Sequence, residues 1–168
     1  MRRSDSWNRE TVEYHESQAD PADGFYSIDL VIENTLTNGH YVTHVVYSFA
    51  HEQDDIVSST LHHEYYRPDT DTWTEVPIDT AGDVGHPCDL AIDSQDQLHV
   101  VYYDIGAQAL KYGFFDGAVP WHTQYVIQPG GANLGSSCSV TVDSDDHPHI
   151  AYYDATNGDL MHAQPANP

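Results

Sequence analysis

An all-β repeat fold is what this 168-residue sequence predicts, on three observations. Short runs rich in Val, Ile, Tyr and Trp alternate with clusters of Asp, Asn, Gly and Pro, and no window carries a convincing helical period. The segment CDLAIDSQDQLHVVYYD (88–104) lies over CSVTVDSDDHPHIAYYD (138–154) without a gap, so Cys88 falls on Cys138 at an offset of 50 residues. Further apolar runs follow, giving four strands in about fifty residues, the pattern of a β-propeller blade.

The elements can be justified in chain order. SWNRETVEY (6–14) matches the Trp-led fourth strand of a blade, with Trp7 standing where Trp73 and Trp121 stand later. The first full unit runs IDLVIE (28–33), HVVYSF (44–49), LHHEYYR (61–67) and WTEVPID (73–79). The second runs CDLAID (88–93), LHVVYYD (98–104), LKYGFFD (110–116) and WHTQYVI (121–127). The third has CSVTVD (138–143), PHIAYYD (148–154) and LMHA (160–163), with no fourth strand after it. The chain therefore reads D, ABCD, ABCD, ABC, as one propeller domain over 1–168. Residues 1–14 form a strand D that closes a neighbour's blade, 27–80 form blade 1, 86–128 form blade 2, and 137–164 supply strands A–C of blade 3.

Three blade equivalents are too few for a closed ring, because propellers have four to eight. The expectation is a ring completed by oligomerisation. Two copies give six blades, the favoured count, and three give nine. The expected interface joins Trp7, Thr11 and Val12 of the donated strand to Leu160, Met161 and His162 of the open one. Blades of another protein are the alternative way to close the ring.

Composition narrows the partners. Twenty-seven acidic residues face five basic ones, for a formal net charge of −22. That disfavours nucleic acid and anionic membranes as ligands. No stretch approaches transmembrane length, so no membrane insertion is expected. The apolar runs argue against disorder. An acidic, nearly lysine-free surface resembles that of proteins of salt-loving archaea and their viruses. Roughly 1 M salt shortens the Debye length to about 3 Å and screens such self-repulsion. MRRSDSWNRE carries twin Arg but no apolar stretch, so no secretion signal is read.

PHIAYYDATNGDLMHA, LHVVYYDIGAQALKYGFFDG and WTEVPIDTAGDVGHPCDLAID resemble the tandem propeller repeats of many secreted bacterial and archaeal proteins, within the broad sialidase-like superfold. Such repeats carry a Pro-His-Ile-x-Tyr-Tyr-Asp strand, an Asp-Leu-Lys-Tyr-Ala strand and a Trp strand ending in Val-Asp. The resemblance covers nearly the whole chain and implies architecture rather than activity, since such propellers serve as lectins, adhesins, scaffolds and enzymes. The sialidase Asp-box, Ser-x-Asp-x-Gly-x-Thr-Trp, is absent.

His44, His99 and His149 share one blade position and read as fold determinants ahead of metal ligands; the Trp residues read as packing between blades ahead of sugar platforms. Cys88 and Cys138 imply neither a disulfide framework nor a zinc cluster, and bridging them requires Cα atoms within about 7 Å. The Asp-rich turns DSQDQ (93–97), DSDDH (143–147) and DTDTW (69–73) offer Ca²⁺ ligands but lack EF-hand spacing, so they read as solvated turns and no cofactor is expected. A long lead-in (15–26), an enlarged A–B loop (34–43) and a long B–C loop (50–60) depart from the repeat and suit partner contacts. No nucleophile with a base, HExxH helix or phosphate loop is present; a carboxylate pair stays open among so many acids, but nothing marks one pair over another, so catalysis is not expected.

The functional expectation is a non-enzymatic structural and recognition propeller on an outer surface. Its favoured setting is a haloarchaeal virion turret, spike or fibre head, with itself, capsid or scaffold proteins and host surface glycans as partners. The rival is a cellular lectin, cytoplasmic or extracellular, with ligand at Tyr103, Asp104, Tyr153 and Asp154; a glycosidase-like enzyme stands third.

Overall fold

The computed structural model of the chain describes residues 24–36, 39–53, 56–130 and 134–166. Every regular element among them is a strand. The expected donated strand at 6–14, with Trp7, Thr11 and Val12, lies outside the described residues.

Among the described residues, eleven strands form three antiparallel sheets, each with neighbours paired in chain order. Sheet 1 holds β1 (Gly24–Ile32), β2 (Thr43–Gln53), β3 (Ile56–Arg67) and β4 (Thr72–Asp79). Sheet 2 holds β5 (Val84–Ile92), β6 (Leu98–Asp104), β7 (Ala109–Phe115) and β8 (His122–Ile127). Sheet 3 holds β9 (Leu134–Val142), β10 (Pro148–Asp154) and β11 (Asp159–Ala163).

Corresponding residues take corresponding registers. Tyr47 faces His62, Tyr102 faces Lys111 and Tyr152 faces Met161. One segment differs from expectation: within the expected loop 50–60, residues 50–53 and 56–60 are strand. β2 and β3 run on as a long hairpin in which His51 pairs with Ser58 and Gln53 with Ile56. The run IVSST is β-branched and polar in turn, so it extends the ladder; the acids beside it gave it the look of a loop.

Alternation of side chains gives each sheet a front, toward the preceding sheet, and a back, toward the following one. The back of sheet 1 and the front of sheet 2 share one core, including Val46, Leu61, Val76, Leu90, Val100 and Trp121. Val101, Leu110 and Tyr112 on the back of sheet 2 share another with Val140, Ile150 and Tyr152 of sheet 3. On the front of sheet 1, Val45, Tyr47 and Phe49 cluster with Trp73. Trp121 lies across Gly113, where an added Cβ would stand 2.8 Å from Val100 and 3.2 Å from the indole.

Two repeated carboxylate contacts set the spacing between sheets. Asp29 on β1 accepts the backbone N–H of Leu90 on β5 at 2.8 Å. Asp89, its equivalent on β5, accepts the N–H of Val140 on β9 at 2.7 Å and the hydroxyl of Ser139 at 2.7 Å. Burial, with Asp89 close by, raises the pKa of Asp29.

The Asp-rich turns act likewise. Asp93 and Asp143 cap their own turns, each accepting two backbone N–H groups at 2.8 to 2.9 Å. Asp96 and Asp146 sit at φ of 62° and 64°, a left-handed conformation that a short polar side chain tolerates. Both reach back to the preceding turn. Asp96 accepts from the Asn34 amide and the Thr35 hydroxyl, and Asp146 from the Ser94 amide and hydroxyl. Turns expected to be merely solvated are latches between sheets.

Candidate functional site

Each junction between successive sheets opens at one end into a groove. That between sheets 1 and 2 has a volume of about 500 Å³, and its walls include Glu33, His44, Tyr65, Arg67 and the turn after Phe115. The groove between sheets 2 and 3 has a volume of about 480 Å³, with Asp93, Gln95, His99, Phe114, His122 and Gln124 among its walls. The two are equivalent by repeat. Glu33 matches Asp93, His44 matches His99, and Tyr65 matches Phe114, its counterpart in the register opposite the histidine.

A hydrogen-bonded relay crosses the floor of each groove. In sheet 1, His44 Nε2 lies 3.3 Å from Glu33 Oε1 and His44 Nδ1 lies 2.9 Å from His63 Nε2. Sheet 2 has Asp93, His99 and Tyr112, at 3.3 and 2.6 Å. Sheet 3 has Asp143, His149 and His162, at 3.2 and 3.0 Å. The first two relays are buried apart from partly covered Glu33, whereas the third is open. Burial lowers the pKa values of His44 and His99 against the pull of their carboxylates. Burial, with His44 alongside, takes His63 down to about 3. Tyr112 is pushed upward, mainly by burial.

Each of the three histidines thus links its strand to the next one through a hydrogen bond. Their partners on the third strand of each sheet, His63, Tyr112 and His162, differ in type and so do not stand out as one set in the sequence; His162 is expected from the sequence only at the interface. Their signal is positional: each stands two residues after the first leucine of strand C. Among the described residues, no group of three or more His, Cys, Asp or Glu is placed to hold a metal ion.

The groove between sheets 1 and 2 also carries a cation. The Arg67 guanidinium lies 5.4 Å from the centre of the Tyr65 ring. At the far end of the same junction sits Lys111, the one lysine in the sequence. It is bound to Asp79 and lies 3.9 Å from Asp104, while the Tyr102 hydroxyl donates to Asp79 at 2.9 Å.

The expected ligand residues lie away from the grooves. Asp104 is buried and accepts the Ala107 amide at 2.8 Å, closing the β6–β7 turn. Tyr103 packs against the core between sheets 2 and 3. Asp154 accepts from Thr156 and Asn157 in the β10–β11 turn, next to exposed Tyr153. Of the expected interface residues, Leu160, Met161 and His162 are all exposed on β11. Cys138 lies 3.9 Å from the Val101 carbonyl, and the side chain of Cys88 lies outside what is described.

No protein-family model matches the chain, and no curated protein matches it. Among solved structures it is similar to a fucose lectin from Kordia zhangzhouensis in complex with methyl-fucoside. That match has 16% identity over 74% of this chain and 92% of that one, with a TM-score of 0.42. A likeness that distant carries no argument about fold or ligand.

Proposed function

We propose that the chain is a recognition protein without catalytic activity. Its sheets are propeller blades, copies of the chain complete the ring, and the grooves between blades hold glycan ligands. An outer surface, such as a virion turret, spike or fibre head, is the setting proposed for it.

One observation carries the assembly. The strand-C leucine is 0% exposed as Leu61 in sheet 1 and 2% exposed as Leu110 in sheet 2, but 82% exposed as Leu160 in sheet 3. The strand-A position shows the reverse: Leu30 of sheet 1 is 51% exposed, whereas Leu90 and Val140 are each 6% exposed. At these two positions the residue is covered where a sheet lies next to it and bare where none does, whereas Val45, Tyr47 and Phe49 on the front of sheet 1 are buried within their own cluster. The bare back of sheet 3 and the bare β1 edge of sheet 1 are the two halves of the junction that the chain already makes twice. A heterologous contact of this kind closes into a ring when the rotation permits. Covering one leucine contributes about 1.5–3 kcal/mol.

The recognition role is supported by the grooves. They are concave, bounded by an aromatic ring and several polar groups, and repeated at each junction, as suits a multivalent receptor for small polar ligands. Glycan-array binding in multimolar salt tests it. Binding is expected for the natural chain and is expected to fall at least tenfold in a Tyr65→Ala, Phe114→Ala double variant that keeps its β-sheet circular dichroism. Absence of any glycan signal from the natural chain would contradict the recognition role.

A further inference from the structure

The third relay repeats the chemistry of the first in a different environment. In sheet 1 the proton inventory closes. His44 Nε2–H donates to Glu33, which leaves His44 Nδ1 to accept the Nε2–H of His63. His63 Nδ1 is then a bare lone pair. It is buried without a hydrogen-bond partner, and the ring stands edge-on to Phe115 and Trp121 of sheet 2 at 5.3 and 5.4 Å. Of the two rings it offers the one free site for a further proton, and no acceptor waits there. Burial accordingly holds His63 neutral down to about pH 3. Sheet 2 meets the same requirement with Tyr112, whose hydroxyl donates to His99 Nδ1 and takes up no proton.

Sheet 3 has the histidine version, with the His149 and His162 rings stacked at 5.2 Å and 12°. Here the bare nitrogen is His162 Nδ1, and His162 is exposed. We propose that the His149–His162 pair makes the junction between copies acid-sensitive: sheet 1 of a second copy covers the pair at neutral pH, and protonation in mild acid opens the contact. The inference rests on the proposed assembly of copies, and it assigns a regulator to that junction.

The aromatic cover over the ring sets this direction, against the pull of the carboxylates around the pair. On the same sheet the pair faces Asp143, the carboxylate bound by His149, and His147, whose Nδ1 lies 3.7 Å from that carboxylate. Backbone N–H donation from His147 is the chief cause that holds Asp143 down to about 2, so it stays charged throughout mild acid. Asp145 and Asp146 stand in the same turn, and Asp146 is engaged by Ser94. Thr141, opposite His149 on β9, is uncharged. The covering front of sheet 1 brings His62, Glu64 and Glu75. Glu64 already accepts from Tyr47 at 2.9 Å, and Glu75 lies 2.6 Å from His62. The repeat places Tyr66 and Trp73 of the covering sheet where Phe115 and Trp121 close over His63, so a proton added at His162 Nδ1 meets the edges of aromatic rings. Closing the contact over a protonated pair must expel the added proton, so its apparent dissociation constant rises as pH falls, by about tenfold per pH unit for one proton expelled.

The test is sedimentation equilibrium in multimolar salt, which screens the acidic surfaces, at about pH 7.5 and about pH 5.5. The natural chain is expected to be assembled at the higher pH and dissociated at the lower, with its β-sheet circular dichroism intact. His162→Tyr, which installs the chemistry of Tyr112, is expected to stay assembled at both, as is His162→Gln, which also cannot titrate. Equal assembly of the natural chain at both pH values overturns the proposal, and so does acid dissociation of both variants. A single chain at the higher pH removes the junction itself, and is told apart because assembly then fails before any acid is added.

Discussion

His63 shows what one side chain demands of this fold. It is 0% exposed, its Nδ1 has no hydrogen-bond partner, and its pKa is taken down to about 3. A histidine with a folded pKa below its unfolded value of about 6.5 binds fewer protons folded than unfolded below that pH. Its contribution to stability is therefore full above about pH 6.5 and is lost progressively as pH falls toward 3. His44 and His99, shifted the same way by burial, add to the loss. Urea unfolding midpoints are expected to drop between about pH 7 and about pH 5, before most carboxylates titrate, and His63→Phe is expected to flatten the slope. Asp89 acts at the same scale. Asp89→Ala strips the acceptor from the Val140 amide and the Ser139 hydroxyl, and is expected to cost about 1–3 kcal/mol in chemical denaturation.

The strands show which features a single sequence makes legible. Three sheets of four, four and three strands were readable because Leu61, Leu110 and Leu160, and likewise His44, His99 and His149, recur with fixed neighbours. The long β2–β3 hairpin was hidden, because Glu52, Asp54 and Asp55 resemble a polar loop and sequence does not reveal which strands run past the repeat. The latches were hidden too. Asp96 and Asp146 are acids in turns until folding brings Asn34 and Ser94 within reach, 62 and 52 residues away along the chain. Lys111 gives this scale a sharper test. Lys111→Met leaves Asp79 and Asp104 without their cation in a largely buried place, and is expected to destabilise by about 3–5 kcal/mol. Sheet 3 has Met161 where sheet 2 has Lys111, and sheet 2 has Ile127 where sheet 1 has Asp79. The double variant Lys111→Met, Asp79→Ile is therefore expected to recover much of that loss, measured as the denaturation midpoint.

For the molecule as a whole, charge and open faces decide behaviour. A net charge of −22 on 168 residues opposes both folding and association in dilute buffer, and the opposition fades as salt shortens the Debye length to about 3 Å near 1 M. Melting temperature is expected to rise from low to multimolar salt; an unchanged value would contradict a salt-adapted surface. In the proposed assembly the same salt lets the bare back of sheet 3 meet the β1 edge of another copy. The central claim is that meeting, and its most direct test is the mass of the chain in multimolar salt at neutral pH. The expected result is twice the chain mass of 18.8 kDa, falling to the single-chain mass in a Leu160→Asp variant. A natural chain that sediments as one copy under those conditions would contradict the account.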